Sequence, residues 1–373
     1  MEIVPITKDN LEKFSEAAAK FGMPRSEGWL RRTMFDPTVE DLAGADSCRG
    51  HMSVVDGGEV VAVQGYYYQP CYFKQRKILG GTGCVMGANH RYGEELLRVL
   101  DRNAETRIKC QLGFGNVLAN KRSAKVAKVT GRMVEPPYRP YDVRVAVADC
   151  SAYPLTVLDR LRVPIGVRNV IWMMLRPLSW VLKLVRAVTA RRSAFEIISI
   201  REFSTAQWED FWQRFLAANT GVISSREPLR MSWLFEASIR AGKVYAMAAV
   251  RNGRVEGYAM IREMVGKGWA KTFEVIDICA VNNDCDCLRA LAKAAVCEAG
   301  RHRGVKVMFF GHMPKQEMWL DGVFRIRRQA DHAFVLCSSR DAEIKESLLR
   351  NEGWFWGPFD GERCMGHGGA IDL

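Results

Sequence analysis

Apolar and polar positions in the first third of the chain follow helical spacing, then strand alternation, then helical spacing again. Leu11 to Phe21 and Trp29 to Met34 predict helices ahead of a turn at Asp36-Pro37. Gly50 to Val55, Glu59 to Gln69 and Arg76 to Met86 read as strands, with Gly57-Gly58 turning the first pair. A polar turn leads into an amphipathic run from Glu95 to Ala104, and an apolar strand from Ile108 to Phe114 follows. The succession then recurs. Val54-Val55-Asp56-Gly57-Gly58-Glu59-Val60 returns in weakened form 195 positions later as Ala249-Val250-Arg251-Asn252-Gly253-Arg254-Val255. Cys84 to His90 lines up with Ile278 to Asp284, Glu95 to Ala104 with Arg289 to Glu298, and the closing strand with Val305 to Phe310. Hairpin, strand, helix, strand, written twice, predicts an α/β protein of two homologous domains with a ligand site at or between them.

The length of 373 residues accommodates an N-terminal domain over 1–150, a connector over 151–194 and a C-terminal domain over 195–373. Hydrophobic residues form 48% of the chain and charged ones 26%, which allows each half a core and excludes extensive disorder. Met1 to Asp9 lack the basic start and apolar run of a signal peptide, so a cytoplasmic location is expected. The 11 cysteines are odd in number and lack the spacing of a secreted disulfide framework, so they read as free, mostly buried thiols.

Charge changes the picture in one place. The net charge is +12, and between Arg160 and Arg192 stand eight Arg or Lys with no Asp or Glu, in the segment that joins the repeats. Pro164 and Pro177 sit where a proline opens a helix. Beyond Pro177, Ser179, Lys183, Arg186 and Ala190 share one narrow face, while Leu178, Trp180, Val181, Leu182, Leu184, Val185 and Val188 occupy the other. Arg168, Arg176, Lys183 and Arg186 interrupt every window long enough to span a bilayer. Two readings stay open: a linker helix buried between the domains, or an interfacial helix on the anionic inner face of a membrane, with Trp172 and Trp180 among the acyl chains. Sparse aromatic interleaving argues against nucleic acid as a partner.

The turn Gly87-Ala88-Asn89-His90-Arg91-Tyr92-Gly93 is a place where backbone N–H groups at a helix start hold a phosphate, with Gly93 permitting close approach and Arg91 adding charge. Together with Glu94-Glu95-Leu96-Leu97 and a strand closing on Gly113-Phe114-Gly115-Asn116, it resembles the GNAT (Gcn5-related N-acetyltransferase) family. More closely it resembles the tandem-GNAT acyltransferases of bacterial surface-polysaccharide and cell-envelope type. The likeness runs over nearly the whole chain, through Trp233, Glu256-Gly257-Tyr258, Glu274 to Ile278, Trp354 and Asp360. It implies two mixed, mostly antiparallel sheets flanked by helices, with acetyl-CoA or another acyl-CoA as co-substrate. The family's loop, Arg/Gln-x-x-Gly-x-Gly/Ala, maps His90 to its first position, Gly93 to its fourth and Glu95 to its sixth, where a carboxylate is unfavourable beside a pyrophosphate. The second copy, Asn282-Asn283-Asp284-Cys285-Asp286, has no glycine and two acids, so the first half is the better cofactor site. The resemblance assigns Met86 a backbone N–H for the thioester, His90, Arg91, Tyr92 and Gly93 the phosphates, and Asn116 the pantetheine arm. Asn116 also reads as a plain turn residue after Gly115.

Acyl transfer to an amine needs a base, a donor to the carbonyl oxygen and an acid for the leaving thiolate. Following the family pattern, Glu274 or Asp277 is the candidate base, and Tyr67 the candidate acid. Tyr66 and Tyr68 fall on the opposite face from Tyr67. The first half has no carboxylate from Thr82 to Gly87, which divides the labour: cofactor on the first half, acceptor on the second. Asp277 also reads as a structural acid, and the tyrosines as packing. Cys285-Asp286-Cys287, with Cys279 and Cys297, lacks the spacing of a metal site, so no metal is expected. The helix Asp341 to Arg350 and the run Trp354-Phe355-Trp356 are expected to cover the second sheet. The resulting expectation is an acyl-CoA-dependent N-acyltransferase acting on a small-molecule or saccharide amine, such as an amino sugar, a sugar nucleotide or an envelope precursor. A non-catalytic scaffold or membrane-docking factor is the first alternative, because both loops depart from the family pattern; a Fem-type aminoacyl transferase is the second.

Overall fold

The computed structural model describes the chain outside residues 45–47, 107–109, 118–141, 150–153, 155–157, 159–160, 191–192, 265–270, 310–316, 330–333, 340 and 351–373. The first half contributes β1 (Glu2–Pro5), β2 (Gly50–Val54), β3 (Val60–Phe73), β4 (Arg76–Ala88) and β5 (Leu112–Val117), adjacent in that order. Neighbours are antiparallel except β4 and β5, which run parallel. After β6 (Asp142–Val147), the second half repeats the arrangement with β7 (Glu196–Ile200), β9 (Val244–Arg251), β10 (Arg254–Met264), β11 (Lys271–Ala280) and β12 (Gly304–Phe309), where β11 and β12 form the parallel pair. The alternating stretches produce the strands as the period-2 pattern requires. The ends move somewhat: β3 continues through the apolar and aromatic residues to Phe73, and β5 starts at Leu112 rather than Ile108.

Each sheet is completed by the other half. β14 (Phe334–Ser339) pairs antiparallel with β5, and β6 pairs antiparallel with β12, with β13 (Ile326–Gln329) beyond it. Residue 142 corresponds to 334 and residue 147 to 339, so β6 and β14 are the same strand of the repeat at an offset of 192, exchanged reciprocally. A third crossing is made by β8 (Val222–Ser224), which pairs with the far end of β3. The boundaries expected at 150 and 195 therefore leave β6 in the sheet of the second half and β14 in the sheet of the first. The main hydrophobic core is continuous as well, joining Phe14, Trp29 and Tyr67 to Trp212, Tyr258 and Leu291.

Helices Leu11–Lys20 and Glu27–Met34 bury Phe14, Trp29, Leu30 and Met34 against the first sheet; Ser26 caps the second of them by accepting from the Trp29 N–H. Helix Ala206–Ala217 does the same for the second sheet with Trp208, Phe211, Trp212 and Phe215, and Thr205 as its cap. The helices Gly93–Thr106 and Cys285–Arg301 follow the two parallel-paired strands. The connector forms one helix, Ile165–Ala190, that runs through Pro177 instead of restarting there. Proline removes one backbone bond to the Met173 carbonyl, a local loss that a long helix tolerates. Helix Ala342–Leu348 lies against β14 and β8, so it covers the first sheet and not the second. The run Trp354-Phe355-Trp356 lies outside the described residues, as does Asp360.

Candidate active site

β3 and β4 change register between Gln64, opposite Met86, and Gly65, opposite Cys84, which leaves Val85 as an extra residue in β4. Val85 has a φ of 49°. A β-branched residue takes that left-handed conformation only where its surroundings impose it, and such bulges concentrate beside functional sites. The ladder between β4 and β5 ends with Thr82 opposite Phe114, three residues before the bulge. Met86, immediately after it, is 39% exposed. The loop after helix Leu11–Lys20 folds over the next residue: a Cβ on Gly87 would sit 2.7 Å from Phe21 and 2.8 Å from Met23, so only glycine fits there. Met86 thus faces outward between that loop and the helix start.

The helix start itself is a short 3-10 turn, His90–Tyr92, capped by Asn89, whose side chain accepts from the Arg91 N–H at 3.1 Å. His90, Arg91 and Gly93 are exposed, and a Cβ at Gly93 would meet nothing within 4 Å. Glu95, expected to repel a pyrophosphate here, points inward. It is buried, accepts from the Ser53 hydroxyl at 2.8 Å and pairs with Arg98 at 3.1 Å. Asn116 lies in β5 with Val335 opposite it.

The second half repeats the geometry but changes the chemistry. Ile276 is the extra residue of β11, between Val275 opposite Ile261 and Asp277 opposite Met260, and the β11–β12 ladder ends at Glu274. Asn282 and Asn283 take left-handed conformations, and the Asp284 carboxylate accepts from the Asp286 and Cys287 N–H groups. The N–H groups an anion would use are already engaged by a negative charge. Cys287 lies buried against Gly257, and burial pushes its thiol pKa far up. Among the described residues no group of three or more His, Cys, Asp or Glu is placed to hold a metal.

The acids and tyrosines expected for catalysis are all buried. Asp277 accepts from Arg226 Nε at 2.9 Å and Nη2 at 3.0 Å, and from the Tyr258 hydroxyl. Burial first, and then the Asp277 charge, hold the Tyr258 pKa well above its ordinary value, so this phenol stays a donor. Glu274 faces Arg262 at 3.4 Å, both nearly inaccessible. Tyr67 points into the continuous core, whereas Tyr66 and Tyr68 meet edge to face at 5.2 Å on the other side of β3. An acceptor amine searching for Asp277 as its base would meet a carboxylate whose two oxygens already accept three hydrogen bonds.

Three residues that the sequence did not mark extend this cluster, two of them across the halves. Arg226 also donates to the Ser224 carbonyl at 2.7 Å; Arg230 donates to Gln69 Oε1 at 3.1 Å and faces Asp36 at 3.4 Å; Ser225 N–H donates to the Pro70 carbonyl at 2.8 Å. Nothing in the spacing of an ordinary arginine announces such a role. Beside them, Ser232–Glu236 forms a π-helical turn, and Trp233 Nε1 donates to the Arg32 carbonyl at 3.0 Å. A separate groove of about 1310 Å³ lies on the second half between β7, β9 and helix Cys285–Arg301, lined by Ile197, Ile200, Tyr245, Lys293 and Cys297 among others. Glu274, Asp277, Tyr67, Met86 and His90 to Gly93 do not line it.

By sequence, the chain matches no protein-family model and no curated protein. By structure, it is similar to a GCN5-related N-acetyltransferase from Anabaena variabilis ATCC 29413, with a TM-score of 0.54 and 8% identity, over 91% of this chain and 73% of that one. It is also similar to Saccharomyces cerevisiae N-myristoyltransferase with bound myristoyl-CoA, with a TM-score of 0.57 and 10% identity, over 94% and 84%. The fold is thus that of the GNAT proteins, a mixed α/β arrangement of two sheets flanked by helices.

Proposed function

We propose that this protein is an acyl-CoA-dependent N-acyltransferase whose first half binds the acyl-CoA. The observation that carries the reading is the combination of a strained bulge at Val85, a β4–β5 ladder that ends before it, and an open, neutrally capped helix start after it. In this arrangement the Met86 N–H polarises the thioester carbonyl, His90 to Gly93 receive the pyrophosphate, and Asn116 borders the pantetheine arm. A fold shared with an N-myristoyltransferase that holds myristoyl-CoA supports acyl-CoA as co-substrate. The neutral amine attacks the carbonyl carbon, the tetrahedral intermediate collapses with cleavage of the C–S bond, and the proton that the amine nitrogen loses is the one the leaving thiolate gains, with Tyr67 as the candidate relay. Asp277 and Glu274 hold Arg226, Tyr258 and Arg262 on the acceptor side, which makes them positioning residues first. The acceptor is the amine of an amino sugar, a sugar nucleotide or an envelope precursor, the last reached from a membrane surface through residues 160–192.

Thermal denaturation with acetyl-CoA and longer acyl-CoA thioesters tests the cofactor half, and release of free thiol with a panel of amino sugars tests the transfer. The wild type is expected to melt higher with at least one thioester, and Gly93→Asp to lose that rise without losing the fold. The commitment of both acids to arginines favours one other reading, a GNAT-fold scaffold without activity. Thioester binding with no thiol release on any amine would support the scaffold; no binding of any thioester would overturn the cofactor assignment.

A further inference from the structure

The connector helix Ile165–Ala190 lies against helix Cys285–Arg301 and makes little use of its own surface. Arg168, Ile171 and Leu175, three to four residues apart, are half-buried; the other described positions from Ile165 to Val181 are exposed. On the side away from that line, Val170, Met173, Met174, Pro177, Trp180 and Val181 fall at helical spacing and form one apolar stripe. Met173 is 59% exposed, Met174 75% and Trp180 71%. Single exposed apolar residues are ordinary, but a continuous stripe of this kind marks a contact surface. At its margin the Arg176 guanidinium stacks on Trp172, 5.3 Å from the ring centroid.

We infer that this stripe is the face by which the protein lies on an anionic lipid bilayer, with the helix parallel to the membrane plane. The charge of the segment selects the partner. Between Arg160 and Arg192 the sequence has eight Arg or Lys and no acid, and Arg176 is exposed at the margin of the stripe, so the matching surface is anionic. The apolar stripe then needs a medium that accepts Trp and Met side chains beneath those anions, which a bilayer interface supplies. No described helix is long and apolar enough to cross a membrane, which agrees with a helix that lies in the interface. The exposed stripe begins well before Pro177, so the contact face is wider than the sequence pattern beyond Pro177 suggested. This inference deepens the membrane contact named above and stands whether or not the chain transfers an acyl group.

The test is co-sedimentation of the full chain with phosphatidylcholine vesicles, with and without phosphatidylglycerol. Binding is expected only with phosphatidylglycerol and is expected to weaken in high salt. The combined variant Met173→Ser, Met174→Ser and Trp180→Ser should bind at least about ten-fold more weakly, and its unchanged melting curve would show that the fold is intact. Arg162→Gln with Arg176→Gln should weaken binding by about ten-fold or more and flatten the salt dependence. Equal binding to both kinds of vesicle would overturn the inference. So would a serine variant that binds like the wild type while the glutamine variant does not, which would mark a purely electrostatic surface for a polyanion. A wild type that is dimeric without lipid and becomes monomeric in the serine variant would assign the stripe to self-association instead.

Discussion

The helix starts after β4 and after β11 occupy equivalent places in two copies of one topology, yet they offer opposite surfaces to a ligand. The first is capped by a neutral amide, Asn89, carries His90 and Arg91 outward, and turns its acid, Glu95, into Ser53 and Arg98. The second is capped by a carboxylate, Asp284, with Asp286 exposed beside it. A repeat therefore duplicates the backbone of a helix start without duplicating what it offers an anion, because the caps decide what charge the helix N-terminus meets. The acids follow the same division: the second half's strand carries Glu274 and Asp277, and both are taken up by arginines.

The widest break in the comparison would come from separating the halves. Residues 1–150 and 195–373 produced apart should each fail to show a cooperative melt, because β12 loses β6 and β5 loses β14, leaving unpaired ladder edges and an opened core. Producing them together should restore the transition; a half that melts cooperatively alone, near the full chain's temperature, would show the exchanged strands to be dispensable. Next in size is Asp277→Ala, which strands the buried Arg226 charge and should cost about 3–5 kcal/mol in urea unfolding. Normal stability with collapsed turnover would instead make Asp277 the base.

The two helix starts can be compared by exchange of roles. Asp284→Ala should cost about 1 kcal/mol of stability and leave any CoA-induced rise in melting temperature unchanged. Gly93→Ala should be neutral or stabilising by up to about 1 kcal/mol, since Gly93 has an ordinary helical φ of −59° and open space around it. If Asp284→Ala abolished the CoA effect, the cofactor would belong to the second half.

The smallest effect concerns pH. Burial raises the Glu236 pKa, but the Phe203 N–H at 2.9 Å, Ser232 and Arg240 outweigh it and hold the carboxyl below the ordinary 4.5. A depressed folded-state pKa contributes stability that is complete above the unfolded value and is lost as pH falls through the folded value. Melting temperatures of wild type and Glu236→Gln should therefore differ at neutral pH and converge in acid below 4.5. A gap that persists in acid would assign the effect to packing of this side chain.

Much of the fold was legible before any coordinates. Period-2 and period-3.6 stretches located β2, β3, β4 and the helix from Gly93, the turn at Gly57-Gly58 closed the first hairpin, and the recurrence about 195 positions on announced the second copy. These are local signals, set by which side chains alternate across one element. The proposal that the first half rather than the second holds the cofactor likewise starts from glycine and acid content. What the tertiary structure decided is non-local. That β6 completes the second sheet and β14 the first depends on pairing between segments far apart in the chain, Val147 opposite Lys306 and Val117 opposite Phe334, and neither strand's own pattern names its partner. Val85 reaches its left-handed φ because β3 and β4 hold a register that leaves it over, not because valine prefers it. Glu95 and Asp277 are both carboxylates on well-placed elements; Ser53 and Arg98 turn one inward, and Arg226 and Tyr258 occupy the other. The role of an acid follows from the donors that folding brings to its oxygens, and these come from elsewhere in the chain.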